Sequence, residues 1–230
     1  MDIRKDSDKD WLVIGWFTPD YRPLAEKLAS QLEAHNAPFH LFARSKLHME
    51  WDTRQKPSVV LEAMAVHPGK ILVLMDADCI VLGDIEPVTK LTTDVALSVK
   101  ARQTRKGRAW QKQIVITLGS RVVVFRPTPG AQAFAEEWRR QCAKSKVGGD
   151  ETAMAWAYLH RPEVAYCQLD PRYSGREVDA IGHPEGVVIL HDSAHDPQRG
   201  GESVKGWLKA LERRYLRTGR TKAASIDRLG

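Results

Sequence analysis

The chain has 230 residues, enough for one domain with a substantial core. Its 43% hydrophobic and 28% charged composition is that of a folded protein and excludes the disordered class. A formal net charge of +6 favours anionic partners: nucleic acid, acidic membrane surfaces or phosphorylated small molecules. The positive charge gathers over residues 100–112 and 213–222. Neither stretch has the aromatic interleaving of a nucleic-acid module, so solvated basic faces are expected and a nucleic-acid partner is not. The second could lean on an anionic membrane surface through the basic C-terminal tail.

No apolar run approaches the roughly 20 residues of a bilayer crossing; the longest cover residues 71–75 and 187–190. The first ten residues are charged throughout, unlike a secretory signal, and a cytoplasmic location is expected. Cys79, Cys142 and Cys167 form no close-spaced pair. That speaks against a disulfide framework and a structural zinc site, and for small buried side chains in a reducing compartment.

In chain order, residues 11–16 (Trp-Leu-Val-Ile-Gly-Trp) read as a buried strand, broken by Thr18-Pro19-Asp20. A helix is predicted over residues 23–34, where Leu24, Leu28 and Leu32 recur every four positions. Residues 38–42 form the next strand, and this strand-helix-strand opening implies a parallel sheet. A helix over 58–65 ends at His67-Pro68-Gly69. Residues 71–75 (Ile-Leu-Val-Leu-Met) are apolar without alternation, the pattern of a central strand covered on both faces. Further strands are predicted over 94–99, 121–126, 164–169 and 187–190. Helices are predicted over 132–144, 151–159 and 203–217, and residues 171–185 read as a long irregular loop that could receive substrate. The expected organisation is a charged leader (1–10), one α/β domain with a mostly parallel central sheet flanked by helices (11–217), and a polar basic tail (218–230).

The strongest chemical signal follows the central strand: Met75-Asp76-Ala77-Asp78-Cys79. In extended chain, residues two apart point the same way, so the carboxylates of Asp76 and Asp78 converge. They stand at the carboxyl end of a central strand, where open α/β sheets bind ligands. Two converging carboxylates repel unless a cation joins them, and an oxygen-rich site suits Mg²⁺ or Mn²⁺ shared with substrate phosphates.

The stretch from Leu74 to Val81 resembles the DxD segment of GT-A-fold nucleotide-sugar glycosyltransferases, most of all the glycogenin-like and related bacterial families. Four other stretches lie in that family's order. Residues 16–21 resemble the segment that receives base and ribose, implying donor contacts from Thr18 and Tyr21. Arg54-Gln55-Lys56-Pro57 resembles the basic segment before the helix that feeds the DxD strand, implying phosphate contacts from Arg54 and Lys56. Gly148-Gly149-Asp150-Glu151 resembles the helix start beside the transferred sugar. By itself Asp150 reads as an N-cap; the resemblance implies a carboxylate that serves the sugar, with Glu151 as the alternative. Val188-Ile189-Leu190-His191 resembles the strand whose His completes metal coordination, with His195 as the second candidate. The family's Gly and Lys-Pro-Trp after that His do not follow here, and its Asn-containing strand is matched only loosely by residues 117–121.

The resemblance implies an α/β enzyme that moves a sugar from a nucleotide-diphosphate donor, UDP-sugar favoured, to a glycan, lipid or protein acceptor. The donor-binding set is Thr18, Tyr21, Arg54, Lys56, Asp76, Ala77 and Asp78; the metal set is Asp76, Asp78 and His191; the catalytic carboxylates are Asp150 and Glu151. Retention of configuration is favoured. Exposed tryptophans among Trp110, Trp138, Trp156 and Trp207 could stack on sugar, although helical spacing places Trp138 and Trp207 in the core. Two alternatives stand beside this reading. A haloacid-dehalogenase-like phosphatase would use Asp76 as nucleophile, and a non-catalytic protein of the same fold would bind anions on its basic surface.

Overall fold

A computed structural model describes residues 1–46, 53–105, 112–144, 149–176 and 186–191. The expected helix over 203–217, the basic tail, His195, Trp110, Trp207 and most of the 171–185 loop lie outside the described residues.

The chain runs β1 (Ile3–Lys5), β2 (Trp11–Phe17), α1 (Arg22–Ala34), β3 (Phe39–Ala43), α2 (Lys56–Val66), β4 (Ile71–Met75), β5 (Cys79–Val81), β6 (Val95–Arg105), β7 (Lys112–Phe125), α3 (Pro129–Lys144), α4 (Asp150–His160), β8 (Tyr166–Gln168), β9 (Gly175–Arg176) and β10 (Ile189–His191). The large sheet has the order β1-β3-β2-β4-β7-β6-β8, and a small second sheet has the order β5-β10-β9. β2 runs parallel to β3 and β4, and β6 parallel to β8; β1 and β7 run against their neighbours. Five of the seven strands therefore share one direction, as a mostly parallel sheet requires.

β4 is the hub. Val73 and Met75 join the core under α1, with Val13, Ala25, Leu28 and Leu32. Leu72 and Leu74 join the opposite core with Val59, Phe134, Trp138 and Met154 from α2, α3 and α4. Side chains alternate along a strand, so burial on both faces demands an unbroken apolar run. Each fully buried Leu or Phe contributes about 2 kcal/mol. α2 and α3 each begin a few residues earlier than the apolar period indicates, with Pro57 and Pro129 in the first turn, where a missing N–H costs nothing.

Two elements differ from the sequence expectation. Residues 3–5, read as part of a charged leader, pair antiparallel with β3, and Asp2 accepts from the Ala43 N–H. An edge strand with charged side chains has no hydrophobic period to betray it, and those charges discourage further pairing. The second is the β6–β7 hairpin, whose strands reach Arg105 and begin at Lys112, with a register irregularity at Leu97/Ser98. Much of the basic stretch read as solvated faces is thus hairpin backbone. The basic residues at 100–105 give no apolar alternation to mark that half of the ribbon as strand, although residues 114–118 (Ile-Val-Ile-Thr-Leu) carry the β-branched composition of one. β7 also inserts an antiparallel strand between β4 and β6, which the parallel pattern did not anticipate.

α3 and α4 are clamped together by Glu137, whose side chain is only 2% exposed. It accepts from Arg140 and Gln141 on α3, and pairs with His160 and Arg161 at the end of α4. The Arg140 hydrogen bonds outweigh burial and hold the Glu137 carboxyl down at about 2. A depressed acid stabilises the fold above its ordinary pKa near 4.5, and that gain is lost as pH falls toward about 2. Glu137→Gln should therefore cost about 1–3 kcal/mol at pH 7 in urea unfolding. The difference from the unaltered protein should close between pH 4.5 and 2. A second constraint lies at Gly15 in β2, where an added Cβ would stand 2.8 Å from the Met75 carbonyl oxygen and 3.0 Å from Leu41 Cδ2. Gly15→Ala should lower stability by about 1–3 kcal/mol in the same measurement, because backbone cannot yield as a side-chain tip does.

Candidate functional site

The apolar run of β4 ends at Met75, and the chain leaves the large sheet with the Asp76 N–H bonded to the Arg121 carbonyl of β7 at 3.0 Å. A turn closed by Cys79 N–H to Asp76 carbonyl, 3.0 Å, carries it into β5. β5 pairs antiparallel with β10 in a register that sets His191 opposite Cys79. The Asp76 and Asp78 side chains converge as expected, but through this turn and the small sheet rather than through extended alternation.

His191 Nε2 lies 3.1 Å from Asp78 Oδ1 and 3.5 Å from Asp76 Oδ2. One ligand atom from each residue falls within 4.8 Å of the others. Burial opposes charge on His191, but its hydrogen bonds to Asp76 and Asp78 raise it to about 9. A protonated imidazole at this position faces both carboxylates. Two carboxylate oxygens and one imidazole nitrogen form a donor set that fits a divalent ion such as Mn²⁺ or Mg²⁺ and leaves coordination positions for a substrate.

Beneath this group lies a second cluster. Lys56, in the first turn of α2 and 5% exposed, places Nζ 2.7 Å from Asp76 Oδ1 and 2.9 Å from Asp150 Oδ2. It also donates to Ser120 Oγ at 3.1 Å, and the Ser120 hydroxyl donates to Asp150. Burial works against the ammonium, yet Asp150 and Asp76 raise its pKa well above the ordinary lysine value. Lys56 is a buried cation shared by two carboxylates, whereas the sequence reading expects it to face a donor phosphate. Asp150 is the first residue of α4, and Gly149 holds the N-cap position. The N-cap expectation for Asp150 is therefore corrected: its carboxylate turns inward to Lys56 and Ser120, while its carbonyl accepts from Trp138 Nε1 at 3.0 Å. An Asp in the first turn still gains from the helix dipole.

The other expected residues are dispersed. Glu151, next along α4, is exposed. Ala77 is buried within the Asp76–Asp78 turn. Arg54 is buried on the turn before α2, near enough to Cys142 to bear on its thiol, which burial pushes up to about 12. Thr18 and Tyr21 follow β2, one strand from Asp76 on the same sheet edge. Thr18 donates to Asp20 at 2.6 Å, and the hydrogen bonds from Lys46 and Thr18 hold Asp20 at about 2. Tyr21 packs against the α1-side core. Trp138 is fully buried and Trp156 half-exposed, stacked on His160. Ser120 was not singled out by sequence reading. It lies in the stretch 117–121 that loosely matches the family's Asn-containing strand, and β7 carries it past the end of β4, next to Arg121, whose carbonyl accepts from the Asp76 N–H.

Removing the ammonium would leave Asp76 and Asp150 facing each other uncompensated. Lys56→Met should therefore destabilise the protein by about 3–5 kcal/mol in urea unfolding at pH 7. A change under 1 kcal/mol would show that water, not Lys56, neutralises this cluster.

No protein-family model matches the sequence, and no curated protein matches it. Solved structures do match in fold. A glycosyltransferase involved in glycosylation of the major capsid of PBCV-1 aligns at TM-score 0.57 and 12% identity, over 78% of this chain and 92% of that one. The galactosyltransferase LgtC, in complex with donor and acceptor sugar analogs, aligns at TM-score 0.52 and 10% identity, over 86% of this chain and 94% of that one. The glycosyltransferase GlyE of Streptococcus pneumoniae TIGR4 aligns at TM-score 0.52 and 15% identity, over 88% of this chain but only 60% of that one. With the central sheet, the helices on both its faces and the acidic turn after β4 now described, the chain has the fold of the GT-A-type glycosyltransferases.

Proposed function

We propose that this chain is a metal-dependent glycosyltransferase that takes a sugar from a nucleoside-diphosphate donor, UDP-sugars favoured, and passes it to a glycan, lipid or protein acceptor. The observation that carries this reading is the meeting of Asp76, Asp78 and His191 at the carboxyl end of β4. The fold supports it, being shared with structures of sugar-transferring enzymes.

As the bond between sugar and diphosphate breaks, the sugar gains oxocarbenium character and the leaving group gains negative charge. Mn²⁺ or Mg²⁺ held by Asp76, Asp78 and His191 would supply Lewis-acid stabilisation to that diphosphate. The chain's own residues prepare the site. Lys56 offsets the charge of Asp76 from below and keeps one of its oxygens turned away from the ligand group. Asp150, bridged to Asp76 through Lys56, would accept a sugar hydroxyl or face positive charge at the anomeric carbon. The glycogenin-like resemblance favours retention. The free thiols of Cys79, Cys142 and Cys167 accord with a reducing, cytoplasmic setting.

Thermal unfolding with UDP, GDP and UDP-sugars, each with and without Mn²⁺, tests the proposal. UDP should stabilise the protein only when Mn²⁺ is present, by about 3 kcal/mol at a hundredfold excess over Kd. Asp78→Asn should abolish that gain. Stabilisation that persists in Asp78→Asn, or is independent of metal, would remove the site assignment. Hydrolysis of a simple phosphate ester without nucleotide preference would return the phosphatase reading.

A further inference from the structure

The hydrogen-bond directions around Lys56 leave little freedom. An ammonium has three protons and accepts nothing. Here three acceptors lie within 3.1 Å: Asp76 Oδ1, Asp150 Oδ2 and Ser120 Oγ. The Ser120 carbonyl, at 3.5 Å, is a weaker fourth. The Ser120 hydroxyl must therefore accept from Lys56, which frees its own proton for its other neighbour, Asp150 Oδ2. That oxygen receives two donors, one charged and one neutral, inside a pocket where Ser120 is 1% exposed. The backbone of Asp150 is fixed separately, by the Trp138 indole.

A carboxylate held by one donor can still swing about its Cβ–Cγ bond, whose torsional profile is broad. Two donors arriving on the same oxygen from different elements, α2 and β7, remove that freedom. They commit Oδ2 to the protein, so that any contact with a sugar would fall to Oδ1. We propose that Ser120 is a positioning residue for sugar transfer: its hydroxyl orients the Asp150 carboxylate, so that it governs turnover of the donor rather than affinity for nucleotide and metal. The inference rests on the glycosyltransferase reading above and deepens it.

The test measures turnover of the UDP-sugar that the unaltered protein accepts, by release of UDP in the presence of Mn²⁺. Mn²⁺-dependent stabilisation by UDP alone, which reads the Asp76–Asp78–His191 group without any sugar, is followed in parallel. Ser120→Ala should lower kcat roughly 10- to 100-fold, in line with a lost hydrogen bond to a charged group. UDP affinity should stay within about twofold, since the Lys56 pairs to Asp76 and Asp150 remain. In an Asp150→Asn background the same change should lower kcat by less than about twofold, because there is no carboxylate left to orient. A merely structural role would not show that loss of effect. Ser120→Cys, close in size and a weaker donor, should fall between Ser and Ala, and it carries the test should Ser120→Ala fail to fold. Unchanged kcat in Ser120→Ala and Ser120→Cys overturns the proposal, as does an equal loss of kcat and UDP affinity. Failure of the underlying reading is seen separately, in the unaltered protein, as absence of any Mn²⁺-dependent UDP binding, and the proposal falls with it.

Discussion

One buried ammonium joins the parts of this structure that matter for chemistry. Lys56 comes from α2, Asp76 from the end of β4, Ser120 from β7 and Asp150 from the start of α4, and all meet at Nζ. Burying a charge without partners is costly, so a lysine that is 5% exposed holds its place only while both carboxylates face it. The reverse is equally true: two inward-turned carboxylates need the ammonium. This mutual need fixes α2 and α4 against the sheet at the point where the ligand group begins. The cores on either side determine where the elements lie, and the ion cluster determines how their ends face one another.

Asp76 belongs to both layers of the site. One of its oxygens faces Lys56, and the other faces His191 and, across it, Asp78. The upper layer is the one suited to a divalent ion; the lower is a permanent protein counter-charge. Such a division sets a basic side chain beside each carboxylate of the turn.

The legibility of these features in the sequence was uneven for physical reasons. The Ile71–Met75 run, covered on both faces, has to be uniformly apolar, and the acidic pair directly after it marks the edge of the sheet where ligands bind. Both were plain. His191 was also nameable, because a strand ending in a histidine repeats a known order of segments. The contact of Ser120 with Lys56 and Asp150 was hidden: a strand over 121–126 was expected and 117–121 loosely matched a family strand, but neither announces that β7 runs antiparallel beside β4. The edge strand β1 escaped notice because charged side chains are what an edge tolerates. Arg54 and Lys56 were recognised as relevant cations and expected to face donor phosphates, because charge alone carries no information about burial.

Local sequence thus established the α/β class, the hub strand and the acidic turn with Asp76 and Asp78, all of which follow from periodicity and residue type over short spans; His191 was named by the family resemblance. The three-dimensional fold supplied the rest: the antiparallel insertion of β7, the small β5–β10 sheet that brings His191 onto the turn, and the inward commitment of Lys56 and Asp150. These depend on contacts between residues such as Lys56, Ser120 and Asp150, far apart along the chain. Which charge pairs with which is decided by the cost of leaving a buried one alone, and that cost exists only once the layers have closed around it.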